Sequence, residues 1–238
     1  MRLQFIACKV MQREAYFCAA RSKNIIDIVL MPQGLHEEPD KLRSEVQKAI
    51  ERTSDIQNRP YDASLLGYCL CSNGTVGLSA KIPIVVPRGH DCVTLLLGSK
   101  QRYQQYFDAH RGVYWYSAGW IEGGNQPGRE RYERLLKEYK AKYGDDNAEY
   151  LMETEQNWIK QYSWATYIDW GFANSDEYRK YTKRCAEYLS WNYDELKGDP
   201  GLMQRLVDGD WNDDEFLIVK PGQKINEDLT SSGIIKAE

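Results

Sequence analysis

Over the first hundred residues, short apolar runs alternate with stretches of helical spacing, and this alternation is the strongest constraint on the fold. Leu3–Lys9 (LQFIACK) reads as a strand, and Met11–Ala20 as a helix. Ile25–Met31 is rich in β-branched residues and ends at Pro32, which reads as a second strand. A helix follows from about Asp40 to Arg52, with Leu42, Val46 and Ile50 at helical spacing. Ser64–Tyr68 and Ile82–Val86 read as third and fourth strands, with short helices near Thr75–Ala80 and Val93–Leu97. Strands alternating with helices predict an open, mostly parallel α/β sheet with flanking helices.

The second half is less regular and more aromatic. All seven Trp lie beyond residue 110. Gln101–Ala109, Gly128–Tyr143, Ala148–Gln161, Asp176–Trp191 and Gly201–Val207 read as helices. Val113–Ser117, Trp164–Trp170 and Glu215–Val219 read as strands, and Glu122–Gly128 as a loop. The expected organisation is one α/β domain over 1–223. Its sheet core and site loops lie in 1–100, a helical, aromatic elaboration in 101–223, and a polar tail in 224–238.

A net charge of −4, with Lys and Arg interspersed among acids, gives no nucleic-acid footprint. No run reaches the ~18 apolar residues that span a bilayer. The apolar part of the N-terminus is too short for a signal peptide, and Arg13 and Glu14 interrupt it. A cytoplasmic location is expected. In a reducing compartment the six cysteines are thiols or ligands rather than disulfides.

Ligands of an open parallel sheet bind beyond the carboxyl ends of its strands. Here those ends carry Cys8 after the first strand and His36 after the second. Cys69, Cys71, Asn73 and Gly74 follow the third, and Arg88, His90, Asp91 and Cys92 the fourth. Thiolates and imidazole are the ligands that suit Zn²⁺, and three thiolates also suit an iron–sulfur cluster. Cys8, Cys71 and Cys92, with His90, are therefore the expected ligands of one metal centre, zinc in preference to iron–sulfur. If the third strand continues, Cys69 points away from Cys71 and packs in the core. His90, Glu14 and Asp91 are candidate acid–base groups; Asn73, Gly74, Arg88, His36 and Trp120 are candidate contacts to a small, anionic substrate. The competing reading has the cysteines buried as small hydrophobes, Asp91 capping a helix, and Gly74 serving a turn that needs a positive φ.

The segments IACKVMQRE, GLHEEPDKL, GYCLCSNGTVGL, VPRGHDCVTLLLGS and GVYWYSAGWIE resemble the family catalogued as domain of unknown function 1638. The resemblance runs from about Leu3 to Lys220. Its motif positions fall on Cys8, Glu14, His36, Cys71, Asn73, Gly74, Arg88, His90, Asp91, Cys92 and Gly98. Cys69 departs from the small residue expected there. The resemblance implies an anaerobic setting, one-carbon or methyl-group metabolism, and a corrinoid methyltransferase or corrinoid protein as partner, the corrinoid itself being reached only through that partner.

Three functions are open at this point. The first is a metal-dependent transferase of methyl or thiol chemistry. The second is a metal-free enzyme with Cys71 or Cys92 as nucleophile. The third is a non-enzymatic accessory protein of a corrinoid methyltransferase system, with the chain also able to self-associate.

Overall fold

The computed structural model describes residues 1–52, 60–124, 126–228, 230 and 234–238. Parts of the expected Glu122–Gly128 loop and of the expected tail lie outside them. The chain divides into two compact units, Met1–Tyr103 with Asp199–Glu238, and Gln104–Gly198.

The first unit is built on a five-stranded sheet. It contains β1 (Arg2–Cys8), β2 (Ile25–Met31), β3 (Ala63–Gly67) and β4 (Ile84–Pro87) in the spatial order β2-β1-β3-β4, all parallel. A last strand, β8 (Phe216–Val219), runs antiparallel beside β4. Every residue of β3 and β4 is buried, as is β1 beyond Arg2, so these strands read as continuous apolar runs rather than alternating ones. Helices α1 (Gln12–Ala19) and α2 (Pro39–Glu51) follow β1 and β2; α2 buries Leu42, Val46, Ala49 and Ile50. Pro39 opens α2, where its missing N–H costs nothing. After β4 come α3 (Val93–Leu97) and the start of α4 (Lys100–Ala109); α9 (Gly201–Asp208) buries Leu202, Met203, Leu206 and Val207.

Winding runs from β1 out to β2, then back across β1 to β3 and β4. The reversal falls between β1 and β3, and such a switch point is where open α/β sheets bind ligands. The two strands approach closely there. A Cβ on Gly67 would stand 2.6 Å from the Cβ of Ala7, its register partner.

The second unit has a parallel sheet of β5 (Val113–Ser117), β6 (Trp164–Asp169) and β7 (Asn192–Lys197), in that order. One face packs Tyr116, Ala165 and Tyr167 against Tyr178, Cys185 and Ala186 of α8 (Ser175–Leu189). Arg179 of α8 binds Glu195 through two nitrogens and also reaches Asp169, tying the helix to β7 and β6. Helices α5 (Ala118–Gly123), α6 (Arg129–Tyr143) and α7 (Asp145–Gln156) complete the unit.

Three expectations are corrected. The segment expected as a helix near Thr75–Ala80 is a series of turns. There the Gly77 N–H donates to the Ile225 carbonyl (2.7 Å) and the Ile225 N–H to that of Leu78 (3.1 Å), so long-range pairing replaces local helix. The expected polar tail contains β9 (Ile225–Asp228) and β10 (Ile234–Ala237), an antiparallel pair with Ile225 and Ile235 fully buried. β7 was not expected, because NYDELK has no apolar run. Its side chains are satisfied instead by Arg179 at Glu195 and by the Tyr106 hydroxyl at Asp194 (2.7 Å). No helix among the described residues is long and apolar enough to cross a membrane.

Candidate functional site

The site lies at the carboxyl edge of the first sheet. Cys8 ends β1. Beyond β3 the chain runs through Tyr68, Cys69, Leu70 and Cys71, and beyond β4 through Arg88, Gly89, His90, Asp91 and Cys92. These two extensions continue as a ladder: the Leu70 N–H donates to the Gly89 carbonyl (3.0 Å) and the Cys71 N–H to that of His90 (2.9 Å). Gly89 is required by this closeness, since a Cβ there would stand 2.8 Å from Thr94 Oγ1 and 3.0 Å from Cys69 Sγ.

Three thiols act on one buried hydroxyl. The Tyr68 hydroxyl is buried, makes no hydrogen bond to nitrogen or oxygen, and has the thiols of Cys8, Cys71 and Cys92 as electrostatic neighbours. Burial first, then those thiols, push its pKa far up. Burial likewise raises Cys8, although the Val10 N–H and the Tyr68 hydroxyl favour its thiolate. Burial, with Asp91 nearby, pushes Cys71 up to about 12, while the Cys69 and Cys92 backbone N–H groups pull it down. Cys92 is raised by burial and by Cys71 and Cys8. Cys8, Cys69 and Cys71 are buried, whereas Cys92 is partly accessible and His90 exposed. Sulfurs that accept backbone N–H bonds are suited to carrying charge as ligands. Among the described residues, however, no three His, Cys, Asp or Glu side chains stand together as a preformed metal site.

Cys71, Ser72 and Asn73 all have positive φ, at 47°, 55° and 65°. A left-handed conformation costs an L-residue roughly 1–2 kcal/mol, with Asn the most tolerant of the three, and it ordinarily occurs singly. Three in succession make a strained turn of the kind that clusters at functional sites. The positive φ expected at Gly74 falls on these residues instead. Gly74 is glycine for a steric reason: a Cβ would stand 2.4 Å from Leu42 Cδ2 and 3.0 Å from the Cys71 carbonyl oxygen.

Several expected substrate contacts are otherwise engaged. Arg88 donates from Nε to the Asp213 carbonyl (2.8 Å) and from Nη1 to that of Ile235 (2.5 Å), so it pins the C-terminal strands. The Gly74 N–H donates to the Cys71 carbonyl (3.0 Å). Asp91 Oδ1 accepts from the Val93 N–H (2.9 Å), and Oδ2 from the Tyr103 hydroxyl (2.8 Å); the N-cap of α3 is Cys92, without a side-chain cap. Burial raises the Asp91 pKa; Tyr103, Val93 and His90 oppose this. Glu14 is buried in α1, and His36 is half-buried in the turn after β2. Trp120 belongs to α5 of the second unit. Cys18 and Cys185 are buried in helices α1 and α8, as small core residues.

The residue patterns placed Gln33 only among the residues after the second strand, and did not point to Tyr68 or Thr94. Gln33 Nε2, in the loop after β2, and Thr94 Oγ1, in α3, are buried and without a hydrogen-bond partner. Buried polar atoms are normally satisfied, and exceptions point to an ion, water or ligand. With Tyr68 they come from beyond three of the four parallel strands. Spacing alone could have marked only Tyr68, which lies between the strand and the first cysteine of CLC.

Fold and site define an open α/β protein with a thiol-lined carboxyl edge at its switch point. The chain belongs to the family described as protein of unknown function (DUF1638), whose model matches residues 30–207. Cys71, His90 and Cys92 lie inside that match, and Cys8 and Glu14 precede it. No curated protein matches the chain, and neither does any solved structure.

Proposed function

We propose that the protein holds one metal ion, zinc in preference to an iron–sulfur cluster, on Cys8, Cys71 and Cys92, and that the centre serves methyl- or thiol-transfer chemistry. What supports this reading is that three thiols, each from beyond a different parallel strand, are all electrostatic neighbours of one buried hydroxyl, that of Tyr68, at the carboxyl edge of the sheet. Each thiol comes from a different strand end, and the amides of Val10 and Cys92 already donate to two of them. The donor set suits zinc in chemistry and number, with His90 or a substrate atom as fourth group. To hold the ion, Cys8, Cys71 and Cys92 would have to close in on it, since no three such side chains stand together among the described residues. Such a metal keeps a substrate thiol ionised or lowers the pKa of bound water. His90, exposed beside Cys92, is the group placed to exchange protons with solvent. With Arg88 committed to backbone carbonyls, the substrate need not be anionic.

The metal-free reading requires a thiol with lowered pKa. Burial raises Cys8, Cys71 and Cys92 instead.

Protein purified without oxygen and without chelator should contain about one zinc per chain and be colourless. Cys92, the partly accessible one of the three thiols, should react with an alkylating agent faster after a chelator is added than before. Metal-free protein with one cysteine alkylated rapidly below pH 7 would establish the nucleophile reading in its place.

A further inference from the structure

We propose that Arg43 is a positioning residue, clamping the left-handed turn from α2 and so holding the Cys71 thiol at the centre. The consequence for metal binding rests on the reading above; the clamp itself does not. Arg43 Nε donates to the Val76 carbonyl (2.5 Å), Nη2 to the Asn73 carbonyl (3.1 Å), and Nη1 to Asp40 Oδ1 (2.8 Å). The guanidinium thus grips both ends of the 73–76 segment while Asp40, one turn earlier on the same helix, fixes its orientation. The neighbouring Leu42 occupies the space that a side chain at Gly74 would need. One turn further along α2, Gln47 donates to the Ser79 carbonyl (3.0 Å) and accepts from the Ser79 N–H (3.2 Å).

The fork matters because the turn has a more relaxed alternative. Cys71 and Ser72 are held at φ 47° and 55°, which an L-residue leaves when its restraints are removed. The turn is also held by the Gly74 N–H on the Cys71 carbonyl (3.0 Å), the Val76 N–H on the Asn73 carbonyl (3.2 Å), the Thr75 hydroxyl on the Cys69 carbonyl (2.9 Å) and the Cys71 N–H on the His90 carbonyl (2.9 Å), but none of these reaches a side chain at Ser72 or Asn73. A planar guanidinium can bridge two carbonyls at once in fixed geometry, whereas an ammonium acts as a single point donor. Without the bridge the turn should relax and carry Cys71 out of register with Cys8 and Cys92.

The test compares Arg43→Met, Arg43→Lys and the double variant Arg43→Met/Ser72→Gly with wild type. Two readouts are used: Co²⁺ affinity from the thiolate charge-transfer band, and the alkylation rate of each cysteine in metal-free protein by peptide mass spectrometry. The clamp predicts that Arg43→Met and Arg43→Lys weaken Co²⁺ binding at least tenfold. Cys71 should be alkylated at least tenfold faster, with Cys18 unchanged. Ser72→Gly should recover much of both losses, because glycine adopts φ 55° without penalty. Unchanged Cys71 alkylation in both single variants would overturn the clamp, as would uniform acceleration of Cys18 and Cys71, which reports general loosening. Faster Cys71 alkylation in a protein that binds no Co²⁺ even as wild type would keep the clamp and overturn the metal reading.

Discussion

Replacing Cys71 with serine is expected to weaken Co²⁺ or Zn²⁺ binding by about 10²–10³-fold while the fold persists. A thiolate supplies most of the affinity of such a ligand position, and binding free energy at sites of this type is large, about 10–16 kcal/mol for structural zinc. Serine is nearly isosteric, and its hydroxyl can accept the same Cys92 N–H, so the folding cost should be no more than about 1–2 kcal/mol. Cys92→Ser should behave in the same way. Cys69→Ala should leave metal affinity within a few-fold of wild type, because the Cys69 sulfur lies against Gly89 and, unlike Cys8, Cys71 and Cys92, is not among the groups acting on the Tyr68 hydroxyl. The sign of the pH dependence follows from protonation. Each ligand thiol is pushed up by burial, Cys71 to about 12, so the metal must displace protons throughout the neutral range. Apparent affinity should rise with pH, by as much as about tenfold per unit for each thiol proton released. Isothermal titration in two buffers of different ionisation enthalpy counts those protons; none released would contradict the assignment.

Gly67→Val should destabilise the first unit by about 3 kcal/mol, at the upper end of overpacking costs. The contact is made by a strand rather than by the tip of a flexible side chain. A Cβ at position 67 meets the Ala7 Cβ at 2.6 Å, the Ala7 Cα at 3.0 Å and the Phe5 ring at 3.1 Å. Relief would require β1 and β3 to separate at the switch point, breaking their parallel ladder beside Cys8 and Tyr68. Against a total stability of about 5–15 kcal/mol this is a severe loss. A lower urea midpoint with unchanged slope is the expected signature, and a midpoint within error of wild type would mean that the strands are less tightly apposed.

The parallel sheet was legible because β1, β3 and β4 are buried along their length and read as apolar runs, and the edge strand β2, though only partly buried, is rich in β-branched residues. IIDIVLM and IPIVV can hardly be read as anything else, and Pro32 and Pro87 mark where they stop. What local pattern could not carry was any structure decided at a distance. The 75–80 segment has the residues of a short helix, yet it is claimed by Ile225 from the far end of the chain. β7 is polar because Arg179 and Tyr106 complete it.

The site was legible to the same degree. Cys8, Cys71 and Cys92 were expected at one sheet edge because each follows a parallel strand, and all three act on the buried Tyr68 hydroxyl there; their binding a metal is the proposal, since no three His, Cys, Asp or Glu side chains among the described residues stand together. The roles of the surrounding polar residues were less visible. Arg88 looks like an anion ligand until its carbonyl partners on Asp213 and Ile235 are known. Gly74 looks like a turn glycine until Leu42 is found beside it, and the residues that bear the positive φ are the three before it.

The most direct measurement of the central claim is X-ray absorption at the metal edge of protein purified without oxygen. The account predicts a zinc edge with three sulfur neighbours at about 2.3 Å and one lighter atom, losing one sulfur in Cys92→Ser. A centre with only nitrogen and oxygen neighbours, or a spectrum that Cys92→Ser leaves unchanged, would contradict it.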